Sequence, residues 1–485
     1  MIRYTLLIFT ICITAGQIQA QQQSRKGGKP NVIIINMDDM GYGDTDPYGA
    51  TGYTTPNFDR LANEGMRFTH FHAAQGVCSP SRAALLTGCY PSRISMGGGA
   101  IMPWNNRALN PAEETIASLL KKNGYATCML GKWHLGNKAP FFPIHYGFDY
   151  FYGLPYSNDM WPVDYKGRPV TDTSDMRHRF PPLPVLEGDK QVGTIRTLED
   201  QSALTTVLTQ KAVQFIEKAK NKPFFLYLAH PMPHAPIAVS AKFKGKTEAG
   251  LFGDVISEID WSVGQVMEVL ERTGLAKNTL LIVTSDNGPW LCFGNNAGSS
   301  GGLREGKGTA WDGGTRVPCF IRWPGKVAAG SICNQLLTNM DILPTVMAAT
   351  GSVLPEKKID GLNFLPLLTG KSPVTPREVF YVYFDVNNLK LIRYKNWELV
   401  LPHKSRTYQV PHGKDGDRGP TPVVDVPMAL YDLVHDPGTV YDVQDQYPEI
   451  KEKMLQYAEE ARADLGDNIT HRKGRNVRPA AVVPH

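Results

Sequence analysis

The sequence predicts an α/β protein in which helices cover both faces of a largely parallel sheet, followed by a smaller α+β domain. Short apolar runs rich in β-branched residues, such as 31–36 (NVIIIN) and 279–284 (TLLIVT), are typical of buried parallel strands. Amphipathic segments lie between such runs, and the clearest is 252–270, with apolar residues at three- and four-residue spacing. After about residue 365, shorter strand patterns predict an antiparallel arrangement.

The elements of the main domain alternate along the chain. The predicted strands are 31–36, 125–130, 223–229, 279–284 and 317–323. The predicted helices are 57–65, 78–87, 113–122, 198–219, 252–270 and 340–349. Strands that alternate with helices favour a parallel sheet covered on both faces, and ligands of such sheets bind at the carboxyl ends of the strands.

The C-terminal part is predicted to contain antiparallel strands at 379–383, 389–400 and 429–433 and a closing helix at 449–465. We therefore assign residues 30–365 to the main domain, 366–470 to the smaller domain and 471–485 to a flexible tail. The segment 156–192, rich in Pro and Asp, is too long for a connector and is predicted to be a functional insertion.

Residues 1–20 have the pattern of a secretory signal peptide. Arg3 supplies positive charge, an apolar run follows, and Ala20 ends a small-residue cleavage pattern. This run is too short to span a bilayer, and no later segment is long and apolar enough. The sequence thus predicts an exported protein, periplasmic or extracellular, without a transmembrane segment.

Composition restricts the possible partners and cross-links. A net charge of +5 over 485 residues gives no case for nucleic-acid binding. Of the 7 cysteines, Cys12 lies in the signal peptide and Cys78 is assigned to chemistry. An odd number remains, so at least one is expected to be unpaired, and the sequence does not show which pairs form.

The segment 78–88 (CSPSRAALLTG) predicts a helix with a reactive position at its N-terminus. Ser79 suits the cap position, Pro80 suits the first turn, and Gly88 ends the helix. Cys78 would then lie among free backbone amides at the positive end of the helix dipole, where an anion binds well. The simpler alternative is a small buried cysteine that begins a core helix.

Polar pairs follow two of the predicted strands. Asp38 and Asp39 come after the first strand, and Asp286 and Asn287 come after 279–284. Three carboxylates and an amide carbonyl form an all-oxygen set suited to Ca²⁺ or Mg²⁺. Without a cation, such close carboxylates would raise one another's pKa values. Either pair alone would more often be an ordinary turn.

Several motifs together carry a family resemblance. They are 36–44 (NMDDMGYGD), 78–88, 131–136 (GKWHLG), 284–288 (TSDNG), 306–309 (GKGT) and 312–314 (DGG). Over roughly residues 30–370 the sequence resembles the type I sulfatases of the arylsulfatase A and N-acetylgalactosamine-6-sulfatase type. The resemblance implies an alkaline-phosphatase-like fold and hydrolysis of sulfate esters, with sulfated glycans as the expected substrates.

The same resemblance implies that a formylglycine-generating enzyme oxidises Cys78 to formylglycine. The hydrate of this aldehyde would attack sulfur, and a sulfoenzyme intermediate would then expel sulfate. The implied Ca²⁺ ligands, with Mg²⁺ as the other possibility, are Asp38, Asp39, Asp286, Asn287 and the modified Cys78.

The resemblance also implies roles for six further residues. Arg82 would hold the hydrate, Lys132 and Lys307 would neutralise sulfate oxygens, and Ser157 would contact the substrate. The implied base beside the hydrate is His134, and the implied acid for the leaving alcohol is His234. The alternatives are that the cations are solvated surface charges and that the histidines are structural, as we expect for His230.

Two other functions stay open at this point. A phosphodiesterase or phosphonate monoester hydrolase of the same superfamily would share the metal site, although the motif Lys132-Trp133-His134 and the single cation set favour sulfate. A lectin-like protein that only binds sulfated glycan is the non-enzymatic alternative. The sugar is not identified, and Trp104, Trp161 and Tyr156 either stack on it or pack in the core.

Overall fold

The structure is a computed structural model that describes residues 28–482. The predicted signal peptide, residues 1–20, lies outside the described residues. Within residues 28–482, no helix combines the length and apolar character needed to cross a membrane.

A ten-stranded mixed sheet forms the centre of the molecule. Its strands, in spatial order, are Ser331–Cys333, Met66–Phe68, Cys319–Arg322, Thr279–Ser285, Asn31–Met37, Phe224–Ala229, Ala126–Lys132, Tyr150–Leu154, Leu183–Glu187 and Lys190–Ile195. The five strands from Thr279–Ser285 to Tyr150–Leu154 are parallel to one another, which confirms the predicted fold class. The predicted strand at 317–323 is Cys319–Arg322 and runs antiparallel to both of its neighbours.

Helices cover both faces because each presents an apolar side to the buried strands. One face carries Pro56–Glu64, Leu204–Ala219 and Gly250–Arg272, which pack on side chains such as Ile33 and Ile35. The other face carries Cys78–Thr87, Ile116–Lys122 and Ile342–Thr350, which pack on Val32 and Ile34. Alternate residues of one strand therefore serve two separate cores.

Two predicted helices differ clearly from the observed helices. The predicted helix 198–219 is broken into Leu198–Ser202 and Leu204–Ala219. The predicted helix 113–122 begins only at Ile116, because Thr115 and Ser118 form a capping box that ends the preceding loop.

The last part of the predicted insertion, 156–192, belongs to the central sheet. Leu183–Glu187 pairs with Tyr150–Leu154 and with Lys190–Ile195, all antiparallel, and so extends the sheet by two strands. The remainder, up to residue 182, has only the single turn Met176–Arg179 of regular structure. A small apolar cluster of its own, which includes Tyr156, Trp161 and Phe180, holds it in place.

The C-terminal part is a four-stranded antiparallel sheet with one long helix. The strands are Val379–Phe384, Asn388–Tyr394, Trp397–Val400 and Ala429–Asp432, and the helix is Pro448–Leu465. The predicted strand 389–400 is thus a hairpin, which turns at Lys395 with a φ of 51°. Its core also contains Ala84 and Met340 of the main domain, so the two parts pack directly together.

The short elements complete the structure. They are the strands Phe71–His72, Arg107–Ala108, Leu337–Thr338, His403–Arg406, Val423–Val426, Gly466–Asp467, Arg472–Lys473 and Ala481–Val482, and the short helices Asp312–Thr315 and Leu365–Leu368. In the segment assigned to a flexible tail, Ala481–Val482 pairs with Arg107–Ala108. Arg478 forms an ion pair of 2.8 Å with Glu113, while residues 483–485 lie outside the described range.

The cysteines within residues 28–482 are buried and form no disulfide. They are Cys78, Cys89, Cys128, Cys292, Cys319 and Cys333. The expectation that at least one stays unpaired agrees with this result.

A buried ion pair between the two parts provides a stability prediction. Arg377 donates to both carboxylate oxygens of Asp341, at 2.9 Å from Nε and 2.5 Å from Nη2, and both residues are buried. In Arg377→Ala the buried Asp341 carboxylate keeps its hydrogen bonds from Thr338 and Leu362 but loses its positively charged partner, so we expect the free energy of unfolding to fall by about 3–5 kcal/mol. Thermal unfolding measures the loss. Arg168→Ala removes an exposed ion pair and should cost less than about 1 kcal/mol; equal losses would contradict the prediction.

Candidate active site

Four neighbouring parallel strands end at one edge of the sheet, and each is followed by predicted site residues. Met37 pairs with Ser285, so Asp38 and Asp286 leave adjacent strand ends. On the other side of the first strand, Phe224–Ala229 leads to His234. The next strand ends at Lys132. Adjacent parallel strands therefore bring together residues that are far apart in sequence.

Four of the five predicted metal ligands, Asp38, Asp39, Asp286 and Asn287, lie close together. The backbone N–H of Asp39 donates to Asp286 Oδ1 at 3.2 Å. The Asn287 Nδ2 donates to Asp39 Oδ1 at 2.7 Å. Arg82 joins Asp286 at 2.7 Å and lies 3.7 Å from Asp38 Oδ1. The two strand-end pairs therefore form one buried acidic centre surrounded by cations.

Burial and neighbouring charges act differently on two of these carboxylates. Burial opposes ionisation of Asp38, but Lys132, His234, Arg82 and Lys307 together hold its pKa well below the usual range. Burial raises the pKa of Asp286, and the nearby Asp38 adds to this, although Arg82 acts against it. An additional positive charge at this centre would favour the ionised form of Asp286.

The chemistry of the centre fits a hard divalent cation. Asp38 Oδ1 and Asn287 Oδ1 are buried without hydrogen-bond partners, and such oxygens are costly unless a cation or water meets them. Asp38, Asp39 and His234 each place one donor atom within 4.8 Å of the others. His234 therefore lies close to the two carboxylates of the centre.

Cys78 begins a helix, as the sequence predicts, but the cap differs. The helix is Cys78–Thr87 and its N-cap is Val77, which offers no side-chain cap. The Ser79 hydroxyl, expected to cap the helix, instead accepts a hydrogen bond of 3.0 Å from the N–H of Ile101. Burial raises the pKa of the Cys78 thiol despite Lys132 and Lys307 nearby. The unmodified side chain is therefore a neutral thiol and a weak nucleophile.

Two buried lysines flank the acidic centre. Lys132 Nζ donates to Asp38 Oδ2 at 2.5 Å and to Ser157 Oγ at 3.0 Å. Lys307 Nζ lies 2.7 Å from Asp39 Oδ1. These residues and Ser157 are buried, which excludes the alternative that the lysines are solvated surface charges. They place positive charge beside Cys78 from two sides.

The two histidines of the cleft have defined tautomers. His134 Nε2 lies 3.0 Å from the carbonyl of Ile101, so it carries the proton and leaves Nδ1 buried without a partner. His234 Nδ1 lies 2.6 Å from the carbonyl of Ala235, which leaves its Nε2 facing Asp39 at 3.7 Å. Burial lowers both pKa values, with Lys132 contributing at His134 and Lys307 at His234. By contrast, His230 bonds Ser262 on a helix and takes the expected structural role.

The backbone is strained at two site residues that follow strand ends. Asp39 and His134 have φ values of 66° and 63°, in the left-handed region that non-glycine residues rarely adopt. Gly131, with a φ of 102°, permits close contact of two strands, because a Cβ there would lie 1.9 Å from the carbonyl oxygen of Ala229. The strand can therefore present Lys132 and His134 to the same centre.

A cleft of about 510 Å³ opens onto this centre. The predicted residues at its floor are Cys78, His134, Ser157, His234 and Lys307. Its upper walls include residues that the sequence did not single out, namely Asp159, Tyr165, Arg177, Trp290, Arg406 and Arg418. Asp159, Tyr165 and Arg177 lie in the predicted functional insertion 156–192, and Trp290 follows the 284–288 motif by two residues, whereas Arg406 and Arg418 had no signal.

The aromatic residues proposed to stack on sugar lie in different surroundings. Tyr156 and Trp161 are buried in the apolar cluster of the insertion. Trp104 is 36% exposed and stacks on Phe180 at 5.0 Å. Trp290, by contrast, lines the cleft with its ring 5.4 Å from His234.

Comparison with known proteins agrees with this geometry. Residues 30–352 match the family model named Sulfatase, and residues 306–401 match the model of the C-terminal part of N-sulphoglucosamine sulphohydrolase. The chain belongs to the sulfatase family. It is therefore a sulfuric ester hydrolase with the alkaline-phosphatase-like fold.

Named relatives extend over most of this sulfatase. Arylsulfatase A of Bos taurus is 34% identical over 93% of this chain and 89% of its own. N-acetylgalactosamine-6-sulfatase of Homo sapiens is 39% identical over 73% of this chain and 69% of its own. The solved structure of the PsFucS1 sulfatase from Pseudoalteromonas sp. has a TM-score of 0.80 at 29% identity and covers 93% of both chains.

Proposed function

We propose that this sulfatase is an exported enzyme that removes sulfate from sulfated glycans, with formylglycine made from Cys78 as its nucleophile. The observation that carries the proposal is the meeting of Cys78, the acidic centre, two lysines and two histidines around one cleft. Cys78, His134, His234 and Lys307 line the space in which a sulfate group would bind, with Lys132 and the acidic centre buried beside it. The named N-acetylgalactosamine-6-sulfatase relative supports a sulfated sugar as substrate.

The raised pKa of the Cys78 thiol supports its conversion. A buried neutral thiol in contact with an acidic centre is poorly suited to attack an anionic ester. The hydrated aldehyde supplies one hydroxyl that attacks sulfur and a second that releases sulfate by re-forming the carbonyl. A formylglycine-generating enzyme would act on the segment 78–88 before the chain folds, because Cys78 is 1% exposed in the fold.

The acidic centre supports a bound Ca²⁺, with Mg²⁺ as the alternative. Asp38, Asp39, Asp286 and Asn287 would hold it through oxygen atoms, including the two that lack hydrogen-bond partners. When bound, the cation neutralises the carboxylates and stabilises negative charge on sulfate oxygens. Arg82 stays bonded to Asp286 and to the carbonyl of Lys132, and so fixes the helix of Cys78 against two strand ends.

The remaining residues bind the sulfate and move protons. Lys132 and Lys307 donate to sulfate oxygens, and Ser157 orients the Lys132 ammonium. The unprotonated Nδ1 of His134 accepts a proton at the nucleophile. His234 delivers a proton from Nε2 to the leaving alcohol, since its Nδ1 stays bonded to the backbone. A bound sulfate beside His234 raises its pKa and so favours the protonated form.

Removing one of these cations should reduce the rate strongly. In Lys307→Ala the sulfate loses a charged donor in the transition state, so we expect kcat/KM to fall by about 10²–10³-fold. Lys277→Ala, on an exposed turn far from the cleft, is the control and should keep wild-type activity. Steady-state assays with a sulfate ester measure both. A Lys307→Ala enzyme of wild-type rate would contradict the assigned role.

A direct test separates this function from its two alternatives. Purified protein is assayed with sulfate and phosphate esters of the same phenol and with a panel of sulfated monosaccharides. We expect sulfate release and a preference for sulfate over phosphate. A preference for phosphate would favour the phosphodiesterase or phosphonate hydrolase alternative. Saccharide binding without release of sulfate, in protein with converted Cys78, would favour the lectin-like alternative.

A further inference from the structure

Two arginines from the C-terminal part stand at the mouth of the cleft. Arg406 ends the strand His403–Arg406, and Arg418 lies in the loop that follows it, residues 411–419. Both are exposed, and neither has a carboxylate within ion-pair distance among residues 28–482. Arg418 donates to the Thr421 hydroxyl at 3.3 Å. Guanidinium groups without a carboxylate partner are available to an anionic ligand.

Arg406 is held next to Lys307. Its Nη1 lies 3.2 Å from the position that a Cβ on Gly308 would take. The following residues tie this segment down, since the N–H of Tyr408 donates to Glu305 at 2.6 Å and the Tyr408 hydroxyl donates to the Lys307 carbonyl at 2.6 Å. The segment that carries Arg406 is thus held in place, with the guanidinium beside Gly308, the residue after Lys307.

Arg418 is positioned by the segment that follows the acidic centre. The N–H groups of Gly413 and Gly419 both donate to the carbonyl of Cys292, at 2.9 and 2.8 Å. The Arg418 guanidinium then lies 5.4 Å from the centre of the Trp290 ring, and Lys307 Nζ lies 4.7 Å from the same ring. Trp290 therefore lies close to both cations, Lys307 and Arg418.

The other charged residues that line the cleft differ from these two arginines. Arg177 is neutralised by Asp175 at 2.8 Å, and Asp159 has a buried oxygen without a hydrogen-bond partner. Asp385 also lines the cleft and is paired with Lys390. A second anion in the cleft would be repelled by Asp159 and attracted to Arg406 and Arg418. Arg406 and Arg418 thus favour an anion that binds in the cleft outside the site of the scissile sulfate.

We propose that Arg406 and Arg418 bind a second anionic group of the substrate, so that this sulfatase selects saccharides with another charge next to the sulfated sugar. The inference rests on the proposed function. The second group is a planar or tetrahedral oxyanion, either the carboxylate of a uronic acid or a further sulfate, because guanidinium groups bind both in bidentate geometry. Arg406 and Arg418 are specificity-determining residues and take no part in the bond cleavage.

The test compares one sulfated sugar in four forms. They are the monosulfated monosaccharide that the enzyme cleaves fastest and the same sugar linked to a neutral sugar, to a uronic acid or to a second sulfated sugar. We expect a lower KM for at least one of the doubly charged forms. In the double variant Arg406→Gln, Arg418→Gln this KM should rise by about 10–100-fold with kcat unchanged, while the singly charged forms keep wild-type kinetics.

A control variant that removes a cation outside the cleft separates specific binding from general electrostatics. Lys404→Gln lies on the same strand as Arg406, but its side chain is exposed outside the cleft and pairs with Asp425. It should leave all four KM values unchanged. The uronic acid and disulfated forms identify which anion is bound.

The outcomes also distinguish this inference from the proposed function. Wild-type enzyme that shows no preference for a second anion, or variants that weaken all four forms equally, would overturn the role of Arg406 and Arg418 alone. If no form and no aryl sulfate releases sulfate although Cys78 is converted, the proposed function itself fails.

Discussion

Cys78→Ala is expected to lower kcat for sulfate release by about 10⁶-fold, the size of loss that follows removal of a nucleophile acting together with its activating groups. Alanine cannot be oxidised to an aldehyde and offers no oxygen to sulfur. The residual lysines and cation still bind sulfate, so KM should change far less than kcat. Initial rates with a sulfate ester, at enzyme concentrations high enough to detect slow turnover, measure the effect.

The matched control for this variant is Cys128→Ala. Cys128 is equally buried but lies within the strand Ala126–Lys132, away from the cleft. It should lose some stability and keep its activity. Mass spectrometry of the peptide that carries Cys78 shows whether the wild-type thiol has been replaced by an aldehyde. Full activity in protein that carries only the thiol would exclude the proposed nucleophile.

Asp38→Asn is expected to abolish stabilisation by Ca²⁺ and to lower activity by about 10³-fold or more. Asp38 Oδ1 is a buried carboxylate oxygen without a hydrogen-bond partner, and the amide of Asn carries no charge to balance the cation. Loss of the cation removes several kcal/mol of charge stabilisation in the transition state. Thermal unfolding of chelator-treated protein, with and without added Ca²⁺, gives a readout that is independent of turnover.

Wild-type protein should gain about 2.7 kcal/mol of stability at a Ca²⁺ concentration one hundred times the dissociation constant. Asp260→Asn is the control, because Asp260 is a buried carboxylate bonded to Asn57 outside the cleft. Its baseline stability should fall, but the increment from Ca²⁺ should remain. An equal increment in Asp38→Asn would show that the cation binds elsewhere; Mg²⁺ in place of Ca²⁺ tests the identity of the ion.

The residues of the centre could be predicted because of how parallel sheets are built. Apolar runs such as Asn31–Met37 and Thr279–Ser285 identify buried strands, and their carboxyl ends share one edge. Asp38 and Asp286 were therefore expected to be neighbours although they lie far apart in the chain. Local sequence patterns of this kind can be recognised without knowledge of the long-range packing.

Other features followed from contacts that leave no local pattern. Ser79 has the right position for a helix cap, yet its hydroxyl is used by Ile101. The segment 389–400 looks like one strand and folds as a hairpin. In both cases the tertiary bonds outweigh a weak local preference.

The sequence by itself determined the fold class, the strand ends and the residues at the floor of the cleft, since apolar periodicity and short motifs are local properties of the chain. Only the tertiary structure decided what lies above that floor. Arg406 and Arg418 come from the C-terminal part and reach Lys307 and Trp290 through packing between two parts of the chain. Such packing depends on many distant side chains at once. The sequence around Arg406 and Arg418 therefore does not show that these two arginines lie at the cleft.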